Sequence, residues 1–291
     1  WQRGALIAPL ELDSSVLTAI HTEDMLATVQ QACAIEANLD ADTYTNKASW
    51  QAALTAAGGA AALAAAVWRR EAAAGFALTR PPGHHATPSQ AMGFCLLNNV
   101  ALAAEHLLQR ENAKRLAIVD MDVHHGNGTQ DIFYERGDVL FISSHQHPFY
   151  PGTGLLNERG HGAGLGATIN IPLPAGSGDR AFAACYGDLV PAALDRFQPE
   201  MILVSAGFDS HWRDPLGNLR VSAHGYGAAI KSLRAWAERN CGGRIAAILE
   251  GGYDLDGDAA CGLAITQALL GEKITDELGP SPTPEGMQWM E

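Results

Sequence analysis

The sequence predicts a single α/β domain in which a mostly parallel sheet of about eight strands is covered by helices on both faces. Short apolar runs rich in β-branched residues alternate with helical patterns of roughly ten to twenty residues. Each run is followed by glycine and reactive side chains, as expected where parallel strands open into loops. The 291 residues can bury one large core, and no repeat, low-complexity linker or shift in composition marks a second domain within 1–291.

The predicted elements alternate along the chain. Six strands can be placed as apolar runs, over 75–79, 115–119, 139–143, 167–171, 201–205 and 245–249. Helical patterns lie over about 22–36, 49–74, 97–112, 179–197, 222–239 and 257–271. The segment 145–166 is rich in glycine, proline and histidine and predicts a long functional loop, whereas 272–291 predicts a C-terminal tail on the surface.

Composition excludes several classes of function. The net charge of −13 disfavours nucleic acid as a partner, because phosphate binding needs clustered Lys and Arg, and it suits a cationic substrate. The five cysteines lie far apart without a C-x-x-C pair, and no signal-peptide pattern is present, so we expect buried free thiols in a reducing cytoplasm. The alanine-rich stretch 52–67 is interrupted by Gly58-Gly59 and predicts a packed helix rather than a membrane span. The choice between a monomer and a homo-oligomer stays open.

One segment, DMDVHHGNG at 120–128, concentrates ionisable side chains where a strand ends and a glycine-rich loop begins. Ligands of open α/β sheets bind beyond the carboxyl ends of the strands. Burying carboxylates there costs several kcal/mol each unless they are paired or bind a metal. Asp122 and His124 are two positions apart in an extended segment, so their side chains point to the same side and can share one cation. The segment therefore predicts a metal site.

Four other strand ends release glycine and reactive side chains in the same way. These segments carry His, Asp or Tyr directly after the strand: RPPGHHA at 80–86, SH at 144–145, AGFDSH at 206–211 and EGGYD at 250–254. Because the carboxyl ends of parallel strands meet at one edge of a sheet, we expect all five segments to converge on one site.

Taken together, these segments resemble the histone deacetylase family, and their spelling is similar to its class II and bacterial amidohydrolase-like members. The strings that carry the resemblance are RPPGHHA at 80–86, GFCLLNN at 93–99, DMDVHHGNGTQ at 120–130, SAGFDSHWRDPLG at 205–217 and LEGGYDL at 249–255. The resemblance extends from about Leu17 to about Gly271 and implies the arginase-deacetylase fold and metal-dependent hydrolysis of a linear amide. Family members usually carry a strand and a His-Pro-Glu loop before the region of 20–23, so we expect a shortened front segment with a changed entrance wall.

The resemblance implies a mononuclear metal centre. Asp122, His124 and Asp209 match the family's Asp-His-Asp ligand set, and three ligands leave room for water and substrate, as in catalytic sites. We expect Zn2+, although Fe2+ or Co2+ would fit the same nitrogen and oxygen ligands. The resemblance also implies a structural K+ ion beneath this centre, held by the Asp120 carboxylate, the Ser143 hydroxyl and the main-chain carbonyls of Asp122, His124 and Ser144.

The resemblance further assigns catalytic roles. It pairs His84 with Asp120 and His85 with Asn127, and a carboxylate raises the pKa of an imidazole more than a neutral amide does. We therefore expect the two histidines to titrate apart, with His85 neutral at about pH 7 and free to act as the base. Tyr253 would donate a hydrogen bond to the substrate carbonyl, while the metal ion activates water from the other side.

Aromatic side chains predict a narrow substrate channel. Phe94, with Gly93 beside it, matches the family's channel Phe, and Tyr150 falls where the second aromatic residue lies, most often Phe in the family. Leu216 would lie at the rim, where polyamine-selective relatives can carry a glutamate. Leucine offers no partner to a second ammonium group, which favours an acyl-lysine peptide or a small acylated amine as substrate.

Three other interpretations compete with a lysine deacylase. Within the enzyme class, hydrolysis of acetylpolyamines or of another small amide or ester stays open. A ureohydrolase of the arginase type needs a second set of metal-binding aspartates, where this chain has Asp209-Ser210-His211. A non-catalytic acyl-lysine-binding protein would be expected to lose Tyr253 or the histidine pair, and the sequence retains them.

Overall fold

The computed structural model describes residues 4–286, and within them it contains one sheet of six strands. The strands are β1 (Gly75–Ala77), β2 (Leu116–Asp120), β3 (Val139–Gln146), β4 (Thr168–Leu173), β5 (Met201–Ala206) and β6 (Ile245–Leu249). They lie side by side in the order β1-β6-β5-β2-β3-β4, and every neighbouring pair is parallel. The single α/β sheet that the apolar runs predict is therefore confirmed.

The expected number of about eight strands is wrong, because the described residues form only six. Outside the six apolar runs, parallel pairing is reduced to single bridges, Gly178 with Arg220 and His211 with Val221. Both bridges lie in loop segments outside the six strands, so they add single pairs and no further strand. The described residues before β1 form helices and loops instead of adding to the sheet.

Helices lie on both faces of the sheet. They are α1 (Ser14–Ile20), α2 (Glu23–Ile35), α3 (Ser49–Trp68), α4 (Asn99–Arg110), α5 (Asn127–Phe133), α6 (Asp179–Ala184), α7 (Val190–Phe197), α8 (Ala223–Asn240) and α9 (Leu255–Leu270), with a π-helical turn at Cys185–Leu189 between α6 and α7. Alternate residues of a strand point to opposite faces. In β2, Ile118 joins the core formed with α1 to α4, whereas Val119 joins the core formed with α6 to α9.

Helix boundaries differ from the predicted ones where the backbone turns. The helix expected over 49–74 ends at Trp68. Arg70 there has a left-handed φ of 62°, and the amide of Glu71 returns to the carbonyl of Ala66, which closes the last turn. The short helices α1 and α5 are not indicated by the apolar pattern. In the case of α5, the helix begins inside the glycine-rich metal-site motif.

Two features of the core bear on the predictions from composition. Among the described residues, α3 is the one helix long and apolar enough to cross a membrane, but 67% of its most apolar window is buried within the molecule, and it packs against α4. This is the packing expected of a core helix. The five cysteines are all buried and free.

The strand order determines where the site lies. From β2 the chain moves outward through β3 to β4, then returns to β5 and β6 on the other side, so the direction of winding reverses between β2 and β5. Ligands of open parallel sheets bind in the crevice at such a point. The loop after β2 carries Asp122 and His124, and the loop after β5 carries Asp209. The topology alone therefore brings the three predicted ligands together.

Candidate metal centre and catalytic site

Within residues 4–286, three side chains form the one group whose geometry suits a metal ion. Asp122, His124 and Asp209 each offer a ligand atom, and these atoms lie within 4.8 Å of one another. His124 Nδ1 is 3.1 Å from Asp122 Oδ1 and 3.1 Å from Asp209 Oδ2. Both carboxylates are fully buried. Buried carboxylates need a positive charge close by, and this donor set fits a divalent cation with coordination positions left for water and substrate.

Main-chain amides fix the orientation of both carboxylates. Asp122 accepts hydrogen bonds from the amides of His124 at 2.9 Å and Gly251 at 3.0 Å. Asp209 accepts one from the amide of Val123 at 2.7 Å. These main-chain contacts restrict the orientation of both carboxylates and so keep them beside His124.

The charges at this centre are closely balanced. Burial disfavours a charge on His124, but hydrogen bonds to Asp122 and Asp209 outweigh burial and raise the pKa of His124 to about 10. Burial, reinforced by the charge on Asp122, raises the pKa of Asp209 to about 7. A proton on His124 and a metal ion would compete for the same lone pair, so binding of a cation at this group would release that proton.

Two adjacent histidines from the loop after β1 lie beside the centre. The Nδ1–H of His84 donates to Asp120 Oδ2 at 2.9 Å, and that of His85 donates to Asn127 Oδ1 at 2.8 Å, which are the two pairs that the resemblance implies. Burial opposes a charge on His84, but the neighbouring aspartates outweigh it and hold its pKa well above the usual value. Burial and the positive charge of His84 hold the pKa of His85 well below the usual value. The two imidazoles therefore differ in charge.

A buried carboxylate that the sequence interpretation missed anchors the same loop. Glu250 Oε2 accepts hydrogen bonds from the amides of Gly83 at 2.6 Å and His84 at 3.1 Å, and Oε1 accepts one from the Ser205 hydroxyl at 2.9 Å. Burial raises the pKa of Glu250 to about 7 against the lowering effect of the charge on His84. The residue is visible in the string LEGGYDL, but the two amides lie 167 and 166 residues away along the chain, so no local pattern indicates the contact.

Tyr253 lies near the ligand carboxylates. Burial and the negative charge of Asp209 raise the pKa of its phenol above the usual range, so the hydroxyl stays protonated and can donate. Asp214, a residue that the sequence interpretation did not single out, accepts hydrogen bonds from the amide of Tyr253 at 2.7 Å and the amide of Leu216 at 2.8 Å. One carboxylate thus ties the tyrosine to the predicted rim residue.

Aromatic residues surround the approach to this site. The ring of Phe94 lies edge-on to Tyr253 at a centroid distance of 5.9 Å, and that of Tyr150 lies edge-on to His85 at 5.2 Å. Gly93 lies between His85 and Tyr150, and a Cβ at this position would be 2.6 Å from the imidazole and 3.1 Å from the phenol oxygen. Phe94 and Tyr150 are 36% and 40% exposed, so the predicted channel residues form an aromatic wall that opens to solvent.

A further aromatic residue, which the sequence interpretation missed, supports the metal group. Phe149 stacks on His124 with a centroid distance of 5.2 Å and an angle of 16° between the rings. Thr153 of the same loop has its hydroxyl 2.7 Å from His125 Nδ1, which ties the loop to the metal-site motif. The sequence PFYPG shows two adjacent aromatic residues in this loop, but it does not indicate which ring faces the metal group and which faces the channel.

The predicted potassium site shares Asp122 and His124 with the metal group and adds Asp120 of β2 and Ser143 and Ser144 of β3. Asp120 and Ser143 are partners in the register of β2 and β3, and both are fully buried. Ser144 points to the opposite face of the sheet, where its hydroxyl is 2.6 Å from the Tyr186 hydroxyl. The Ser143 hydroxyl, the one serine hydroxyl predicted as a ligand, therefore lies on the side of Asp120.

The all-parallel sheet with its site beyond the carboxyl ends of the strands belongs to a chain of the histone deacetylase family, because the histone deacetylase domain matches residues 1–269. The matched region includes every residue of the site described above.

Several known proteins are similar to this chain. A protein of Archaeoglobus fulgidus named a probable deacetylase is 42% identical over 256 residues, which cover 88% of this chain and 71% of the relative. The histone deacetylase-like amidohydrolase of Pseudomonas aeruginosa is 41% identical over 80% of this chain and 62% of its own. The crystal structure of the HDA15 HD domain matches with a TM-score of 0.85 and 40% identity, over 94% of this chain and 76% of that one. The chain spans 47% of the length of histone deacetylase 14, chloroplastic, of Arabidopsis thaliana, with 48% identity over 68% of this chain.

Proposed function

We propose that this protein is a metal-dependent amide hydrolase that removes acetyl or other acyl groups from lysine side chains or similar amines. The observation that carries the proposal is the pair of buried imidazoles, His84 bonded to a carboxylate and His85 bonded to an amide, directly beside a group of three metal-ligating side chains. Holding two adjacent imidazoles in different protonation states serves proton transfer and has no evident use in a binding protein. Relatives named deacetylase and amidohydrolase support the same reaction class.

The metal ligands in this proposal are Asp122, His124 and Asp209, and we propose Zn2+ as the ion, with Fe2+ or Co2+ compatible with the same donors. A bound divalent ion would polarise the amide carbonyl and lower the pKa of a water molecule. We also propose a structural K+ ion held by Asp120 and Ser143 with neighbouring main-chain oxygens, supported by the side-by-side position of these two buried residues.

His85 is the general base in this scheme. Its Nδ1–H donates to Asn127, so its Nε2 keeps a lone pair, and its lowered pKa keeps the ring neutral. It takes the proton of the attacking water and returns one to the leaving amine. His84, held protonated by the charges of Asp122 and Asp120, and the Tyr253 hydroxyl supply positive charge and a donor for the carbonyl oxygen as it becomes negative.

The channel favours an aliphatic chain that carries its acyl amide at the end. Phe94 and Tyr150 present aromatic surfaces to such a chain, and Leu216 at the rim is 42% exposed. Leu216 gives no negative partner to a second ammonium group, so we propose acyl-lysine in preference to acetylpolyamine. The net charge of −13 suits a cationic peptide.

Turnover of an acetyl-lysine peptide beside N-acetylputrescine by the Zn2+-loaded protein tests this function. We expect Tyr253→Phe to lower kcat about 100- to 1,000-fold without changing metal content, because one donor to the developing oxyanion is worth about 2.7–4 kcal/mol. Tyr134→Phe is the matched control, because Tyr134 follows the last residue of α5 and is not among the site residues described above. Preference for the polyamine would keep the chemistry and contradict the interpretation of Leu216, whereas no turnover of either substrate by metal-loaded protein would contradict the proposal.

A further inference from the structure

Glu250 is a fully buried carboxylate that neither the metal group nor the histidine pairs use. Among residues 4–286 it forms no ion pair with Lys or Arg, and its hydrogen bonds come from two main-chain amides and one hydroxyl. Burying a carboxylate costs several kcal/mol unless its lone pairs are well used. An apolar side chain would complete the core at this position without that cost, so the carboxylate has a local role.

We propose that Glu250 is a positioning residue that sets the placement of His84 and His85 relative to the metal group. This inference rests on the proposed function. Glu250 joins the ends of three strands, because it follows β6, binds Ser205 of β5 and holds the loop after β1.

The contacts around His84 explain why its main chain needs this anchor. Its amide donates to Glu250, its carbonyl accepts from the amide of Thr129 at 3.1 Å, and its ring is bonded to Asp120. Hydrogen bonds therefore hold the amide, the carbonyl and the ring of His84. Without Glu250, the amides of Gly83 and His84 would be buried without a partner, and the loop would shift to satisfy them. A shift of about 1 Å in a catalytic group can lower the rate about 100-fold.

The geometry distinguishes between substitutions at this position. In Glu250→Gln, the amide oxygen can accept from both main-chain amides, and the amide nitrogen can donate to Ser205 in place of the reverse bond. Glu250→Met fills the same space but provides no acceptor for the amides. Glu250→Asp keeps the negative charge but is one methylene too short to reach them.

Steady-state kinetics of these variants on the acetyl-lysine peptide, at saturating Zn2+, test the proposal. We expect Glu250→Met to lower kcat about 100-fold with KM and metal content unchanged. Glu250→Gln should recover most of that loss, to within about fivefold of the wild type. Ser205→Ala, which removes only the contact to Oε1, is the matched control and should keep kcat within about threefold. Hydrogen exchange of peptides that contain Gly83 and His84 should accelerate in Glu250→Met, while peptides from β2 keep their protection.

Equal loss in the Gln and Met variants, a loss that appears in KM alone, or unchanged exchange at Gly83 and His84 would overturn the proposal. If Glu250→Met does not fold, Glu250→Asp replaces it, and the same loss of kcat and the same acceleration of exchange are expected. If the wild type hydrolyses no acyl amide, the proposed function fails, and hydrogen exchange still decides whether Glu250 anchors the loop.

Discussion

Gly207 offers a direct test of how tightly the metal group is built. It lies in the loop after β5 against the side chain of Asp122. A Cβ at position 207 would be 2.5 Å from Asp122 Cγ and 2.7 Å from Asp122 Cβ, and closer still to one carboxylate oxygen. Cβ atoms in proteins essentially never come within 3.0 Å of such neighbours. Gly207→Ala must therefore displace the carboxylate of Asp122.

The size of the effect follows from the required displacement. To restore a separation of about 3.0 Å, the Asp122 carboxyl carbon must retreat by about 0.5 Å and its nearer oxygen by more, whereas metal–ligand distances hold within about 0.2 Å. It is fully buried and bonded to the amides of His124 and Gly251, so it cannot move without loss of other contacts. Changes around metal ligands cost about 10- to 100-fold in affinity. We expect Gly207→Ala to lie at the upper end of this range and to bind Zn2+ about 100-fold more weakly, which corresponds to about 2.7 kcal/mol.

Competition with a chromophoric chelator measures this affinity directly. The matched control is Gly262→Ala in α9, where the new Cβ would be 3.8 Å from its nearest neighbour, an ordinary contact. That variant should bind Zn2+ like the wild type and gain about 0.5–1 kcal/mol of stability, because glycine weakens a helix. A folded Gly207→Ala protein with Zn2+ affinity within about threefold of the wild type would refute the reasoning.

Two further predictions concern stability. His21 is buried, and its Nε2 accepts a hydrogen bond from the amide of Asn98. Burial lowers the pKa of His21 from 6.5 to about 4. Its contribution to the free energy of unfolding is therefore present above pH 6.5 and is lost as the pH falls toward 4. The free energy of unfolding in urea should fall between pH 7 and pH 5 by about 2 kcal/mol less in His21→Gln than in the wild type. An equal fall in both proteins would contradict this prediction. At the two adjacent glycines of α3, a Cβ on Gly58 would overlap the Leu10 carbonyl, whereas one on Gly59 would have no neighbour closer than 3.8 Å. We expect Gly58→Ala to lower the unfolding free energy by about 1–3 kcal/mol and Gly59→Ala to raise it by about 0.5–1 kcal/mol, so equal thermal shifts would contradict the packing described.

The parts of this molecule that the sequence could predict are those governed by local pattern. The strand before Asp120 is a continuous apolar run because both faces of β2 are covered, and such runs predict parallel strands. Asp122 and His124 could be placed at a strand end because charged residues there need a ligand. The pairs of His84 with Asp120 and His85 with Asn127 came from the family resemblance, since nothing in local spacing links residues that lie 36 and 42 positions apart.

The parts that were missed depend on contacts between distant segments. Glu250 and Asp214 act through main-chain amides of other loops, and any residue type can supply such an amide. Phe149 and Tyr150 are adjacent aromatic residues, and only the backbone path of the loop decides which one stacks on the metal ligand. The strand number was overestimated: six apolar runs can be placed as strands in the sequence, and the loop at 207–222 adds only the single bridges of His211 with Val221 and of Arg220 with Gly178.

The crevice between β2 and β5 gathers more negative charge than its own residues neutralise. Four fully buried carboxylates lie in or beside it: Asp120, Asp122, Asp209 and Glu250. His84 contributes one positive charge, and the proton on His124 is the one that a divalent cation displaces. A divalent ion and the charged His84 together still leave one carboxylate without compensation. Since an uncompensated buried charge costs several kcal/mol, the balance favours a second, monovalent cation beside Asp120, or a proton on Glu250, whose pKa is raised to about 7. Charge balance therefore fits the proposed potassium site, and it fits a proton on Glu250 equally well.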